Sequence, residues 1–150
     1  MNPRVPPPIV VVVLGTAIWA VARYVKFGQV ESNLLMPCAV VLLTAGLLLM
    51  IAAVGSFIAA RTSINPLRPM RASRLITTGV FRFSRNPIYL GDLLLLAALA
   101  VVLGNAINLV WLGLFVCYIN RYQIAPEERA LTALFGEAYL QYCAKVRRWL

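Results

Sequence analysis

The chain has no histidine among its 150 residues, and only five acidic side chains against 14 lysines and arginines. The missing histidine excludes imidazole acid–base catalysis, the Ser-His-Asp triad and His–Cys zinc sites together. Cysteine is scarce as well. Cys38, Cys117 and Cys143 lie far apart, with no CxxC pair and no metal-ligand spacing, so they are expected to pack as small hydrophobes, and no metal is expected. Charged residues make up 13% of the chain and hydrophobic ones 61%, whereas a soluble domain is roughly a quarter charged and about half apolar. A domain this small cannot enclose so much apolar surface in one core. Lipid must cover part of it. The net charge of +9 would also suit a nucleic-acid binder, but not one this hydrophobic, and no nucleic-acid partner is expected.

What the chain does have is long apolar runs, at residues 5–22, 32–60 and 93–120. A membrane-crossing helix needs about 20 residues. The first run opens on Pro6, Pro7 and Pro8, which can start a helix without losing a useful donor. It has no signal-peptide cleavage pattern and reads as an anchored span over about 8–25. The second predicts one span over about 34–60, its excess length absorbed by tilt or protrusion. The third is too long for one span, and the turn residues Gly104, Asn105 and Asn108 divide it into helices over about 88–103 and 107–124. After Pro126, the side chains of Leu131, Phe135, Ala138, Tyr142, Val146 and Trp149 share a helical face. That pattern predicts an interfacial amphipathic helix over 126–149, weakest at Gly136 and open to a second role as a lid. The fold class is therefore all-α: one integral membrane domain with four transmembrane helices and a C-terminal amphipathic helix.

Basic residues orient it. Residues 61–85 carry six arginines and no acid, the tail adds Arg129, Lys145, Arg147 and Arg148, and the 104–108 turn carries no charge. Both termini and the 61–87 loop are thus expected on the cytoplasmic side. Small residues at four-residue spacing are expected to mark close helix approach: Ala52, Ser56 and Ala60 in the second span, Gly113 and Cys117 in the fourth.

Polar groups in or beside a membrane are costly, so their positions are informative. Asp92 is the one acid within the expected spans. A tight hairpin places it level with Asn120 and Arg121, as an ion pair or hydrogen bond linking two helices, or as a cofactor contact. Glu127 and Glu128 follow Pro126, where a helix N-terminus favours acids. In residues 78–91, Gly79 permits a turn, the residue before Pro87 is held extended, and Tyr89 brings a hydroxyl to the start of a span.

The run Arg85-Asn86-Pro87-Ile88-Tyr89-Leu90-Gly91, followed by two spans, Glu127-Glu128-Arg129-Ala130-Leu131 and Phe135-Gly136-Glu137-Ala138-Tyr139-Leu140-Gln141-Tyr142, resembles the isoprenylcysteine carboxyl methyltransferase family. The related phospholipid N-methyltransferases share its general plan. The likeness covers about residues 65–150. It implies S-adenosylmethionine bound in a cytoplasm-facing pocket between the last two helices without a Rossmann domain, in keeping with the absence of GxGxxG. By this resemblance the cofactor-binding residues are Ser73, Arg74, Leu75 and Ile76, then Phe81 after the Thr-Gly turn, then Asn86, Pro87, Ile88, Tyr89 and Glu127.

Two departures bear on the substrate. The family's frequent histidine is Asn86 here, which can hydrogen-bond but cannot become a cation. The family's arginine for the prenylcysteine carboxylate stands four residues before the first glutamate, where this chain has Gln123, with Arg121 two residues earlier. These two are the candidate substrate-binding residues, and a neutral amide holds a carboxylate less strongly than a guanidinium fork. The expected activity is methyl transfer to a hydrophobic or lipid-like acceptor, with prenylcysteine not the best one. An activated sulfonium needs alignment and exclusion of water more than acid–base help, and no proton-transfer residue can be named. The alternative is a non-enzymatic membrane scaffold on the same fold, which would have no need of the paired glutamates or the Asn-Pro-x-Tyr element.

Overall fold

Proline stands in the first turn of three helices, and where no helix precedes it its missing N–H costs nothing. A computed structural model describes residues 5–61 and 74–150. The helices are α1 (Pro7–Tyr24), α2 (Leu35–Ala60), α3 (Pro87–Val102), α4 (Leu109–Ile119), α5 (Ala125–Phe135) and α6 (Glu137–Lys145), with short 3-10 turns at Gly79–Arg82 and Ala106–Asn108. Pro7, Pro87 and Pro126 stand in the first turns of α1, α3 and α5. Ser73 lies outside the described residues, as do Arg68 and Arg71.

Pro126 has a second effect. Lacking an N–H, it cannot bond the carbonyl four residues back, and its ring crowds that carbonyl. Between α4 and α5 the helix widens into a π turn at Asn120–Ile124, closed by the Ala125 N–H donating to the Asn120 carbonyl. The fourth expected helix therefore continues into the C-terminal region as one rod with an inserted residue. The tail beyond is two helices rather than one over 126–149, because Gly136 adopts φ 52° and ψ −126° between α5 and α6.

The largest helix–helix interface joins α2 and α3. Buried Ala39, Gly46 and Ala53 form the small-residue stripe of α2 at seven-residue spacing. A Cβ added at Gly46 would sit 3.1 Å from the Gly91 carbonyl and 3.1 Å from Leu94 Cβ, and one at Gly91 would collide with the Met50 side chain. Close approach thus runs along 39/46/53. It does not run along the expected positions: Ala52 is exposed, Ser56 bonds back to the Ala52 carbonyl, and Gly113 has open space around it. The main core lies between α1, α3 and α4, around Ile18, Leu96, Phe115 and Ile119, with Ile124 of the π turn.

Two helices are long and apolar enough to cross a membrane, α1 with 18 residues and α2 with 26, and only 17% of each apolar window is buried. Apolar helices this exposed are not the core of a water-soluble protein; the chain is all-helical among its described residues and membrane-associated. At 16 and 11 residues, α3 and α4 do not by themselves establish two further crossings. Their hairpin is tight, as expected. Gly104 takes φ 61°, and Asn105 locks the turn against the α1–α2 loop, donating from Nδ2 to the Val25 and Phe27 carbonyls while Oδ1 accepts from the Ile107 N–H.

The C-terminal pair docks on residues 75–86. Tyr139, Tyr142 and Val146 cluster with Leu75, Leu131 and Phe135. Tyr142 donates its hydroxyl to the Phe81 carbonyl at 2.7 Å, and burial pushes its phenol up to about 12, so it remains a neutral donor. Glu128 gathers two cations, Arg85 at 3.3 Å and Arg148 at 2.7 Å. Arg85 also donates to Cys143 Sγ. Trp149 Nε1 donates to Asn120 Oδ1 at 3.1 Å.

Two outcomes follow for stability. Gly46→Val and Gly91→Val should each lower the unfolding free energy by about 1–3 kcal/mol through overpacking, whereas Gly55→Ala and Gly113→Ala, with nothing within 4 Å, should be neutral or mildly stabilising. Thermal unfolding in one detergent compares the four. Removing Glu128 strands two arginines, one of them largely buried, so Glu128→Ala should cost about 2 kcal/mol and expose the α5–α6 tail to limited proteolysis, with exposed Glu137→Ala as the silent control.

Candidate functional site

The backbone at Asn86 (φ −131°, ψ 56°), neither helical nor, as expected before Pro87, fully extended, turns residues 79–86 sharply into α3. That turn brings the Gly79–Arg82 segment back over the start of the helix. There a cavity of about 280 Å³ opens between four elements: Pro7 and Pro8 of α1, Met50 and Phe57 of α2, the run from Phe81 to Asp92, and Glu127 of α5. Six of the expected cofactor residues share it: Phe81, Asn86, Pro87, Ile88, Tyr89 and Glu127. They come from segments about 40 residues apart, joined because α3 and the α4–α5 rod run back to the same level.

The polar geometry is specific. Tyr89 donates its hydroxyl to Glu127 Oε2 at 3.2 Å, which aims the carboxylate. Asn86 spends its side-chain amide on the C-terminal segment, Nδ2 donating to the Arg148 carbonyl at 2.9 Å, while its own N–H donates to Ser84 Oγ. Arg85 lines the cavity with both terminal nitrogens committed to Cys143 and Glu128 and with Nε buried and unpartnered. Phe81 is braced edge-on by Phe57, centroids 5.4 Å apart and planes at 89°. The Tyr139 phenol, raised well above its ordinary value by burial first and by Cys143 second, stays neutral beside this network.

Arg74, Leu75 and Ile76 line a neighbouring cavity of about 360 Å³ at the end of α2, with Ser56, Thr78 and Gly79. The two candidate substrate residues do not join either cavity. Gln123 is 2% exposed and donates from Nε2 to the Val5 carbonyl at 2.7 Å, fastening the start of α1 to the π turn. Arg121 is exposed and lines a groove of about 660 Å³ between α1 and α4, with Tyr118 and Tyr122. Asp92 makes no ion pair with Arg121; it borders the cavity itself.

Sequence reasoning missed Pro7, Pro8, Met50 and Phe57. Phe57 and Met50 stand four and three residues from Ala53 on the α3-facing stripe, a 3.6-residue periodicity that could have marked them. Nothing local connects Pro7 and Pro8 to a site that lies mostly 70 residues onward.

Parts of the chain are similar to known proteins. An uncharacterised protein of Haemophilus influenzae is 49% identical over 65 residues, 42% of this chain and 100% of that protein. The protein-S-isoprenylcysteine O-methyltransferase of Schizosaccharomyces pombe is 31% identical over 72 residues, 48% of this chain and 30% of that protein. Protein-S-isoprenylcysteine O-methyltransferase A of Arabidopsis thaliana is 35% identical over 72 residues, 48% of this chain and 36% of that protein. The chain spans only about a third of the length of these two enzymes. No solved structure is a significant match. The sequence profile of phospholipid methyltransferases matches residues 34–138, from the start of α2 across the whole polar wall of the cavity and into α6, and the chain belongs to that family.

Proposed function

We propose that the protein transfers a methyl group from S-adenosylmethionine to a hydrophobic or lipid-like acceptor at the cytoplasmic face of a membrane. The observation that carries this reading is the convergence of Phe81, the 86–89 run and Glu127 on one cavity. Family membership and the names of two relatives support methyl transfer as the chemistry.

The cavity suits the methyl donor. A cationic ligand with an aromatic base meets two carboxylates, at Glu127 and Asp92, and the rings of Phe81 and Tyr89. When bound, the donor supplies a methyl group already activated on a sulfonium. The chain's own residues have positional tasks. Glu127, aimed by the Tyr89 hydroxyl, accepts hydrogen bonds from the donor's hydroxyl or amino groups. Arg85 Nε, buried and unpartnered, is available to the donor's carboxylate. Residues 74–76 serve the adjoining cavity, and Phe81, Ile88 and the α1 prolines keep water out, which favours transfer to the acceptor over loss to solvent. With Gln123 facing Val5 and Arg121 on the outer groove, neither candidate substrate residue reaches the cavity to clamp a prenylcysteine carboxylate, which argues against prenylcysteine as the favoured acceptor.

The membrane arrangement belongs to the same proposal. Counted through the π turn, the fourth helix is as long as α3, about 24 Å at 1.5 Å per residue, enough for a thin bilayer. Four spans then place both termini, the arginine-rich 61–87 loop and the cavity on the cytoplasmic side.

Two measurements test this. In calorimetric titration, Glu127→Gln should weaken binding of S-adenosylhomocysteine about tenfold to a hundredfold, the value of a charge-assisted hydrogen bond, with an unchanged unfolding midpoint. Affinity equal to the wild type removes Glu127 from the donor site. Reporter fusions at Asn105 and at the C-terminus should report opposite sides of the membrane, and the same side for both would refute the four-span arrangement.

A further inference from the structure

The groove between α1 and α4 lies outside the site described so far. At about 660 Å³ it is larger than the cavity at the start of α3, and the two share no lining residue. Its walls are apolar, with Ile9 and Val13 on α1 and Leu114 on α4, all three exposed. Arg121, Tyr118 and Tyr122 stand at the end where α1 begins, the two rings 4.9 Å apart and tilted by 37°. From Leu114 to Arg121 the helix rises about 10 Å at 1.5 Å per residue. The groove is thus amphipathic along its length, with one cation and two phenols at one end and hydrocarbon below them.

Arg121 decides what fits. Among the described residues it makes no ion pair and no side-chain hydrogen bond, and no carboxylate lines the groove. An exposed guanidinium suits a phosphodiester, which it grips with paired N–H donors, and tyrosines favour the headgroup level of a bilayer. A zwitterionic head would bring an ammonium group that no acid of the groove receives. A head of net negative charge matches the single cation.

We infer that the groove holds one bilayer phospholipid of net negative charge, its phosphate on Arg121 and an acyl chain along Ile9, Val13 and Leu114, as a resident and not a reactant. The inference needs only a membrane around α1 and stands whether or not the cavity transfers methyl groups. The lipid's task follows from the position of α1. Pro7 and Pro8 wall the cavity, while Val5, Ile9 and Val10 of the same turns wall the groove, and Gln123 ties the Val5 carbonyl to the π turn. A chain packed in the groove completes the contact of α1 with α4 and holds the proline wall of the cavity in place. A ligand that binds only the folded chain also stabilises it.

The test is native mass spectrometry of the full chain released from detergent micelles, titrated with phosphatidylglycerol or with phosphatidylcholine of the same acyl chains. The wild type should retain one phosphatidylglycerol, with a Kd about fivefold or more below that for phosphatidylcholine, the worth of one basic residue near an anionic headgroup. Arg121→Gln should remove that difference and Arg121→Lys should keep part of it. Leu114→Trp, which fills the apolar end and leaves the cation alone, should weaken both lipids, and circular dichroism checks that each variant keeps the helicity of the wild type. Equal affinity of the wild type for the two lipids overturns the inference. So does a preference for phosphatidylglycerol that survives Arg121→Gln, since the head would then lie on other arginines, and so does unchanged lipid affinity in Leu114→Trp. A lipid-free dimer that Leu114→Trp dissociates also overturns it, because a second copy of the chain would then fill the groove.

Discussion

The crossing of α2 over α3 at Gly46 and Gly91 is the contact on which the rest of the structure depends. Two glycines let the backbones meet with a carbonyl where side chains would otherwise be. In water such a glycine pair would be a poor helix element, each member costing about 1 kcal/mol against alanine. In a chain covered by lipid, helix association draws on packing rather than on escape from water, so close approach is the stronger term. The crossing also fixes the distance from Met50 and Phe57 to Tyr89 and Asp92. A wider crossing would open the cavity to the bilayer, and a tighter one would fill it with Met50.

Electrostatics then works by scarcity. With five acids in 150 residues, each acid that is buried or paired has a visible effect. Glu128 braces the loop before α3 against the C-terminal segment through two arginines, and the adjacent Glu127 turns toward the cavity. Neighbouring residues on a helix differ by about 100° in direction, so a pair of glutamates can serve a brace and a site at once.

Much of this could be read from the residues. Prolines 7 and 87 marked helix starts, Gly104 and Asn105 marked the hairpin, and Phe81, residues 86–89 and Glu127, grouped by the family resemblance, line one cavity. The face of α2 was not legible, because a helix apolar on every side has no periodic contrast to reveal which small residues meet a neighbour. The fate of Gln123 was equally hidden. Its partner is a backbone carbonyl 118 residues away, and backbone acceptors leave no trace in side-chain pattern. The link from Asp92 to Asn120 or Arg121 is not made, since Arg121 lines the outer groove while Trp149 takes Asn120, and Asp92 borders the cavity instead.

The π turn at Asn120–Ile124 makes residue count a property of the site. One extra residue lies between the hairpin and Glu127 relative to an uninterrupted α-helix, and it sets the rotational phase of everything after it. Deleting one residue from the turn would give a more regular helix and would swing Glu127 about 100° around the axis, away from Tyr89 and toward the outer surface. Divergence within such a chain can therefore change the exposed side chains of the turn, Arg121 and Tyr122, more readily than the number of residues in it.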